Sequence, residues 1–298
     1  MSARATIVTA YVGMCLIWGT TWLAIKVGLQ YLPPVTGVGL RFVIAGLFLY
    51  AIAAFRGEIP PFSKLPWKLI WVLALTLFGL NYVLTYTAEV RLSSGLVAVL
   101  FGTLPFFIFA FGHYLAGERT TARTWIGAVL AFGGVAVISL AGSLRGSLLF
   151  ALAAIAAAAI SGFANVYAKR HSGNDPLIVL PPAMLLAGIV LAIIGLLFEH
   201  PILQQGLELR SIFAVLYLAI FGSGIAFFLN LWLLQRIEVG IVGLSALIIP
   251  VLAVIVGIVF GHELFGAREL IGAALVIAGV WIALSKPSVI EENVPLSQ

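Results

Sequence analysis

The sequence predicts an all-α polytopic membrane protein, with ten transmembrane helices arranged as two inverted five-helix repeats around a central cavity. Three observations predict this fold: the composition, the number of apolar segments and an internal repeat. Of the 298 residues, 62% are hydrophobic and 9% are charged, whereas soluble domains carry about 25% charged residues. Most of the chain is therefore expected to lie in the lipid bilayer.

Ten segments are long and apolar enough to span a bilayer, which takes about 20 residues per helix. The predicted spans are 7–27, 35–55, 67–87, 93–116, 124–142, 147–168, 176–198, 211–233, 240–260 and 269–285. Prolines and charged residues separate them, and no gap is long enough for a soluble domain. We therefore predict a first repeat over 1–142, a second over 143–286 and a cytoplasmic tail over 287–298.

The repeat is clearest from Arg91 to Val135, which recurs without a gap from Arg236 to Val280, at a shift of 145 positions. Earlier parts of the halves match at a shift of 143. Each copy has an apolar run with a proline, a charged break and a glycine-rich run. Because five spans separate equivalent points, the copies cross the membrane in opposite directions. Such inverted repeats are common in secondary transporters.

Lysine and arginine placement predicts the orientation, because cytoplasmic loops carry an excess of these residues. With a cytoplasmic N-terminus, ten basic residues fall in inside loops and four in outside loops. The sequence therefore predicts that both termini are cytoplasmic. The net charge of +5 is spread over these loops and does not form one patch, so no nucleic-acid partner is expected.

Catalytic and metal-binding groups are not expected. The chain has four histidines and one cysteine, Cys15, and all eleven Asp and Glu residues fall in loops, at span ends or in the tail. A catalytic triad needs a nucleophile, a base and an orienting group within reach of one another, and a metal site needs paired ligands. We therefore predict no enzyme, no cofactor, no metal and no carboxylate proton relay within the membrane.

Polar and aromatic residues within the spans are the better functional signal. Trp18 and Trp22 are four apart and share a helix face, and Asn165 is the repeat partner of Trp22. Asn230 lies in the eighth span. An amide in lipid must face other helices or water, so either each amide bonds a neighbouring helix or the set lines a cavity. We predict a substrate-binding cavity lined by Trp18, Thr21, Trp22, Asn81, Tyr82, Thr85, Asn165 and Ser245.

The charged residues near the spans are expected to have structural roles. Lys26 and Arg41 lie toward the outer ends of the first two spans, where long basic side chains commonly extend to the interface. Glu118 and its repeat partner Glu263 lie at span exits. We expect each to cap or pair near the start of the next helix, with Arg123 and Arg268 as the respective partners.

Two prolines are candidate hinges. Pro105 lies near the middle of the fourth predicted span, and its repeat partner Pro250 near the middle of the ninth. A proline inside a helix removes one backbone hydrogen bond and clashes with the carbonyl four residues back, so it bends the helix. The two bends would face opposite sides of the membrane. Movement at these bends could then open one side of the protein while the other side closes. A static kink is the alternative.

The chain resembles the ten-span EamA type of the drug/metabolite transporter superfamily, and most closely the bacterial YddG-type exporters. It departs from the pattern where Met184 stands at the repeat position of Arg41. The matching features are Trp18-Gly19 to Lys26, Leu40-Arg41-Phe42 to Ala45, Pro105 with the Gly117-Glu118 exit, Gly127 to Gly134, Pro250, Glu263, and Gly272 to Gly279.

The resemblance implies a multi-pass protein of the bacterial inner membrane that exports amino acids, aromatic and other mainly apolar ones, and related small metabolites by alternating access. Its partners would be a small-molecule substrate and the bilayer, and we expect a monomer. The alternatives are a carrier of the same fold for nucleotide sugars or for organic cations and drugs, a channel, or a membrane-embedded enzyme. Without a carboxylate relay, transport should run down the substrate gradient without an imposed proton gradient.

Overall fold

The computed structural model describes residues 2–59, 61–92, 97, 100–139, 148–199, 208–252 and 267–284. Over these residues the regular structure is helical, and none is in a strand. The helices are α1 Ala3–Gly28, α2 Pro34–Phe55, α3 Trp67–Arg91, α4 Leu104–Ala116, α5 Ala122–Ser139, α6 Leu148–Arg170, α7 Pro176–Phe198, α8 Leu209–Leu234, α9 Val239–Leu252 and α10 Ala267–Leu284.

Six of these helices are long and apolar enough to cross a membrane by length and composition: α1, α2, α3, α6, α7 and α8. The shorter apolar helices are α4, α9 and the part of α10 from Ala274 to Ala283. The part of the chain that the structure describes is therefore all-helical, and the protein is a multi-pass membrane protein. The predicted tail over 287–298, the junction between the two predicted repeats and the end of the ninth predicted span lie outside the described residues.

Local sequence signals begin several helices. Pro34 occupies the first turn of α2, where its missing N–H removes no hydrogen bond. Asp175 caps α7, because its Oδ1 accepts the backbone N–H of Leu177 at 2.8 Å. Such caps satisfy N–H groups that have no partner within the helix. The charged and proline-rich breaks of the sequence therefore act as helix boundaries.

α2 and α7, the second helices of the two halves, pack closely against each other. A Cβ atom at Gly46 would lie 2.7 Å from Leu185 Cγ, and one at Gly39 would meet the backbone of Ala192. Small residues allow this approach between membrane helices. Positions later in α2 meet positions earlier in α7, so these repeat counterparts run antiparallel.

α5 and α10, the fifth helices, form a second such pair. A Cβ atom at Gly127 would lie 2.5 Å from Gly279 O, and one at Gly134 would lie 2.6 Å from Gly272 O. Gly127 and Gly272 are repeat partners, as are Gly134 and Gly279. The partners are thus exchanged across the contact, as a two-fold axis requires. The antiparallel pairs agree with an inverted repeat.

The third helices of the two halves share a local irregularity. α3 is π-helical over Ala74–Leu80 and α8 over Leu218–Ile225. These segments contain the repeat-equivalent pairs Phe78-Gly79 and Phe221-Gly222. π-Helical turns are uncommon and often occur at functional sites. In this protein each π-helical turn packs against the second helix of the other half, the turn of α3 against α7 and the turn of α8 against α2.

The structure corrects one predicted boundary. α3 continues to Arg91, four residues beyond the predicted end of the third span. The helix therefore includes Glu89, whose Oε1 atom is buried and has no hydrogen-bond partner among the described residues. Glu89 lies in the last turn of this helix, in agreement with the expectation that acidic residues lie in loops, at span ends or in the tail. The predicted span ended too early because its boundary was set by apolarity alone, and the residues around Thr85 to Thr87 are polar.

Candidate functional site

A central cavity of about 120 Å³ lies among α1, α3, α4, α6, α8 and α9. One water needs roughly 10–15 Å³ of such a volume, so the cavity has room for several. The structure brings all eight predicted binding residues to its wall, and their role in binding stays a prediction. They are Trp18, Thr21, Trp22, Asn81, Tyr82, Thr85, Asn165 and Ser245.

Aromatic rings form one part of the wall. Trp18 donates its indole N–H to Gly222 O at 3.2 Å, and its ring meets the edge of Phe227 with centroids 5.4 Å apart. Phe227 also contacts Phe78 at 5.0 Å. Burying the indole while satisfying its N–H leaves an apolar surface that can pack against an apolar or aromatic ligand.

Amides form the second part of the wall. Asn230 Nδ2 donates to Asn165 Oδ1 at 2.8 Å, and Asn165 Nδ2 donates to Ser161 O at 2.8 Å. Asn81 Nδ2 donates to Leu77 O at 3.1 Å. The Asn165–Asn230 bond joins α6 to α8, so bonding between helices and cavity lining occur together. Asn230 and Ser161 line the cavity as well, although neither was among the predicted binding residues.

Arg41 corrects the expectation that it extends to the membrane interface. Its side chain is only 2% exposed and reaches the cavity from α2. The Nε atom donates to Ser223 Oγ at 2.6 Å and Nη2 donates to Gly222 O at 3.2 Å. Nη1 donates to Tyr86 at 3.3 Å and Nη2 to Tyr82 at 3.4 Å. The acceptors that hold it inside come from α3 and from the π-helical segment of α8, which the sequence pattern did not reveal.

The charge of Arg41 is not neutralised by its hydrogen-bond partners. All four acceptors are neutral oxygens, and among the described residues that line the cavity Arg41 alone carries a charge. Glu89 lies within electrostatic range of Arg41 but does not line the cavity. A buried guanidinium in a low-dielectric site is stabilised by an anion. The cavity can therefore attract a carboxylate.

Polar contacts join helices at both ends of the bundle. Near the start of α2, Glu199 accepts the backbone N–H groups of Val35 at 2.9 Å and Thr36 at 2.7 Å. At the opposite end, Glu118 accepts the N–H of Val239 at 3.1 Å. A carboxylate at a helix N-terminus satisfies free N–H groups and interacts favourably with the helix dipole.

The contact of Glu118 corrects its predicted pairing. Instead of capping the next helix with Arg123 as its partner, Glu118 caps α9 of the other half. Nearby, Lys169 Nζ donates to Ile237 O at 2.9 Å. Burial, together with the carboxylate of Glu118, raises the pKa of Glu238 in the loop before α9. The repeat partner Glu263 lies outside the described residues.

The two candidate hinge prolines occupy different positions within their helices. Pro250 lies within α9 and lines the cavity. Pro105 is buried in the first turn of α4, directly after a turn at Gly102 and Thr103. It therefore removes no hydrogen bond from the middle of a helix, and the predicted bend at Pro105 is instead a break in the helix before it. Discontinuous helices are common at transporter binding sites.

Among the described residues, no group of three or more His, Cys, Asp or Glu side chains could hold a metal ion.

The chain is similar along its length to known membrane proteins. It is 29% identical to the "Uncharacterized inner membrane transporter YedA" of Escherichia coli K12, covering 93% of this chain and 90% of that protein. It is 28% identical to the "Probable amino-acid metabolite efflux pump" of Salmonella typhimurium LT2, covering 89% and 90%.

A solved structure, titled "Crystal structure of protein", shares the fold with a TM-score of 0.81 at 24% identity, covering 94% of this chain and 98% of that one. The model of the EamA-like transporter family matches twice, at residues 5–140 and 148–285. These two matches correspond to the two halves that pair through their antiparallel helices. The protein is thus a membrane transporter of the drug/metabolite transporter superfamily, and the chain belongs to the EamA-like transporter family.

Proposed function

We propose that this protein exports amino acids, mainly apolar and aromatic ones, and related small metabolites across the bacterial inner membrane by alternating access. Its ten helices would all span the membrane, with both termini in the cytoplasm and a monomer as the working unit. The cavity at the centre of the bundle is the proposed substrate site. A relative whose name describes an amino-acid metabolite efflux pump supports the substrate class.

The main observation behind the proposal is the position of the buried Arg41 side chain at the cavity wall. A single buried guanidinium faces the cavity, and a free amino acid carries one carboxylate. Charge-assisted hydrogen bonds between Arg and carboxylate are among the stronger polar contacts in proteins. The same charge disfavours organic cations, because it would repel them in a site with little screening.

The rest of the wall fits the remainder of such a substrate. The amides of Asn165, Asn230 and Asn81 can exchange hydrogen bonds with an amino group, while Trp18 and Phe227 offer apolar surface. An amphipathic cavity with few polar groups is the usual form of a small-molecule site. We therefore assign the carboxylate to the Arg41 side and the apolar side chain to the aromatic side.

Alternating access is supported by the paired architecture. The cap of Glu199 on α2 and the cap of Glu118 on α9 lie at opposite ends of the bundle. Breaking one while keeping the other would open one side only. The break before Pro105 and the residue Pro250 lie between these ends, where half-helices could move, so both prolines remain our proposed hinges.

The experiment is transport into proteoliposomes of labelled phenylalanine, phenethylamine and UDP-glucose. Phenethylamine matches phenylalanine except for the carboxylate. We expect transport of phenylalanine, with phenethylamine and the nucleotide sugar near the background of empty liposomes. Transport of phenethylamine at a rate equal to or above that of phenylalanine would refute the role of the carboxylate, and selective transport of UDP-glucose would favour a nucleotide-sugar carrier.

A further inference from the structure

A second pocket, of about 380 Å³, lies away from the central cavity. Its wall combines basic and aromatic side chains, and no acidic residue is among the described residues that line it. We call it the basic pocket. Its lining residues are Lys68, Leu115, Phe163, Tyr167, Arg170 and His171.

The basic pocket lies where three helices end on one side of the protein. Lys68 is in the first turn of α3, Leu115 is in the last turn of α4, and Arg170 is the last residue of α6. This is the side that the lysine and arginine count predicts to be cytoplasmic. Ends of spanning helices lie at the level of the lipid headgroups, so the pocket opens where headgroups are found.

The aromatic side of the pocket is ordered by ring contacts. Tyr167 stacks on His171 with centroids 4.3 Å apart, and Phe163 contacts Tyr167 at 5.9 Å. His171 Nδ1 and Tyr167 O are 2.8 Å apart. These contacts order the aromatic side chains of the pocket, and Lys68 and Arg170 supply its basic side.

Two observations indicate that the basic pocket can bind an anion. The Tyr167 hydroxyl is buried and has no hydrogen-bond partner among the described residues, whereas most buried side-chain polar atoms have at least one partner. The one ion pair among the described residues joins Arg56 and Glu58, so Lys68 and Arg170 have no carboxylate partner there. Lys68 and Arg170 are exposed and can reach an anion, and an acceptor-rich anion would also give the Tyr167 hydroxyl a partner.

We propose that the basic pocket binds the phosphodiester headgroup of an anionic phospholipid of the cytoplasmic leaflet. The phosphate accepts hydrogen bonds from Lys68, Arg170 and the Tyr167 hydroxyl, and the acyl chains extend along Phe163 and Leu115. Basic pockets between spanning helices on the cytoplasmic side are suited to such headgroups. The site does not depend on the identity of the transported substrate.

Native mass spectrometry of the purified full chain tests this proposal. The protein is titrated with phosphatidylglycerol, with phosphatidylcholine and with inorganic phosphate. We expect one phosphatidylglycerol to be retained at activation energies that strip phosphatidylcholine, and no retained phosphate. Retention of inorganic phosphate without lipid selectivity would overturn the lipid assignment, and equal retention of both lipids would overturn the headgroup assignment.

Variants locate the site. Lys68→Gln with Arg170→Gln should weaken phosphatidylglycerol binding roughly thirtyfold, since each basic residue near the surface contributes about a factor of five. The matched control is Arg119→Gln with Arg123→Gln, which removes the same charge from exposed positions on the same side. Tyr167→Phe, which keeps the ring stacking, should weaken binding severalfold. Equal loss in both double variants, or none in either, would overturn the proposal.

Discussion

The two halves share a scaffold but differ at the cavity. Arg41 in α2 and Met184 in α7 occupy equivalent positions, and both are buried, at 2% and 0% exposure. Arg41 reaches the cavity, whereas Met184 packs in the hydrophobic core. One half therefore contributes the charge that the other half lacks, and an inverted repeat forms an asymmetric site.

The same divergence occurs between α1 and α6. Trp22 and its equivalent Asn165 both line the cavity, as do Trp18 and its equivalent Ser161. The first half contributes aromatic rings where the second contributes small polar groups. In contrast, the glycines at the antiparallel contact of α5 and α10 are kept in both halves. The glycines of this packing contact are thus the same in both halves, whereas these cavity-lining residues differ between them.

Removing the charge difference between the halves should have the largest effect. Arg41→Met places the residue of the second half in the first. Loss of a charge-assisted contact worth about 1.5–3 kcal/mol predicts about a tenfold to hundredfold fall in phenylalanine transport. The measurement is initial uptake into proteoliposomes, with folding checked by size-exclusion chromatography and thermal unfolding.

Met184→Leu is the matched control, because it conserves the volume and apolar character of the equivalent buried position. It should transport like the wild type. If Arg41→Met is well folded and transports phenylalanine at the wild-type rate, the asymmetry of charge has no role in binding.

Asn165→Leu tests the polar side of the comparison. It leaves the Asn230 amide without its 2.8 Å partner, and an unsatisfied buried amide costs about 1–3 kcal/mol. We expect about a tenfold loss of transport, together with a lower unfolding temperature. Asn230→Leu alone should be similar, and the double variant should cost less than the sum of the two. Additive losses would show that the two amides act independently.

Substitution of the two candidate hinge prolines compares the fourth helix with the ninth. Pro250→Ala should slow transport severalfold with substrate affinity largely kept, because a change in conformational flexibility affects the moving step more than the site. Pro105→Ala should have a smaller effect, since Pro105 follows an existing break. Stopped-flow transport and equilibrium binding separate rate from affinity. Equal transport rates in both variants and the wild type would exclude hinges at these residues.

Glu89 should give the smallest effect. It is near Arg41 but does not line the cavity, so we expect downhill transport to proceed without an imposed proton gradient. Glu89→Gln should then change the rate less than twofold between pH 6 and pH 8. Transport that requires a pH gradient in the wild type and loses this requirement in Glu89→Gln would instead make Glu89 a coupling residue.

Periodic and compositional features predicted much of the structure. Apolar runs located the helices, and the repeat indicated that counterpart helices run in opposite directions, because both depend on patterns along the chain. The shared helix face of Trp18 and Trp22 likewise located part of the cavity wall. Arg41 was misplaced because its acceptors, Ser223 and Gly222 O, are about 180 positions away. Sequence patterns do not report such distant contacts.

The boundary errors have similar physical causes. The polar residues between Thr85 and Arg91 ended the predicted span early, although helix packing buries part of that stretch. Pro105 was interpreted as a bend, because sequence alone does not distinguish a proline in mid-helix from one in the first turn.

Substrate protection of a cysteine in the cavity tests the central claim most directly. Cys15 is the only cysteine and is buried, so Cys15→Ser supplies the background for Thr85→Cys in the cavity and for Ser63→Cys at an exposed control position. Alkylation is followed in proteoliposomes with and without saturating phenylalanine. We predict that phenylalanine slows labelling at position 85 and leaves position 63 unchanged. Unchanged labelling at position 85 in a variant that still transports phenylalanine would contradict the assignment of this cavity as the substrate site.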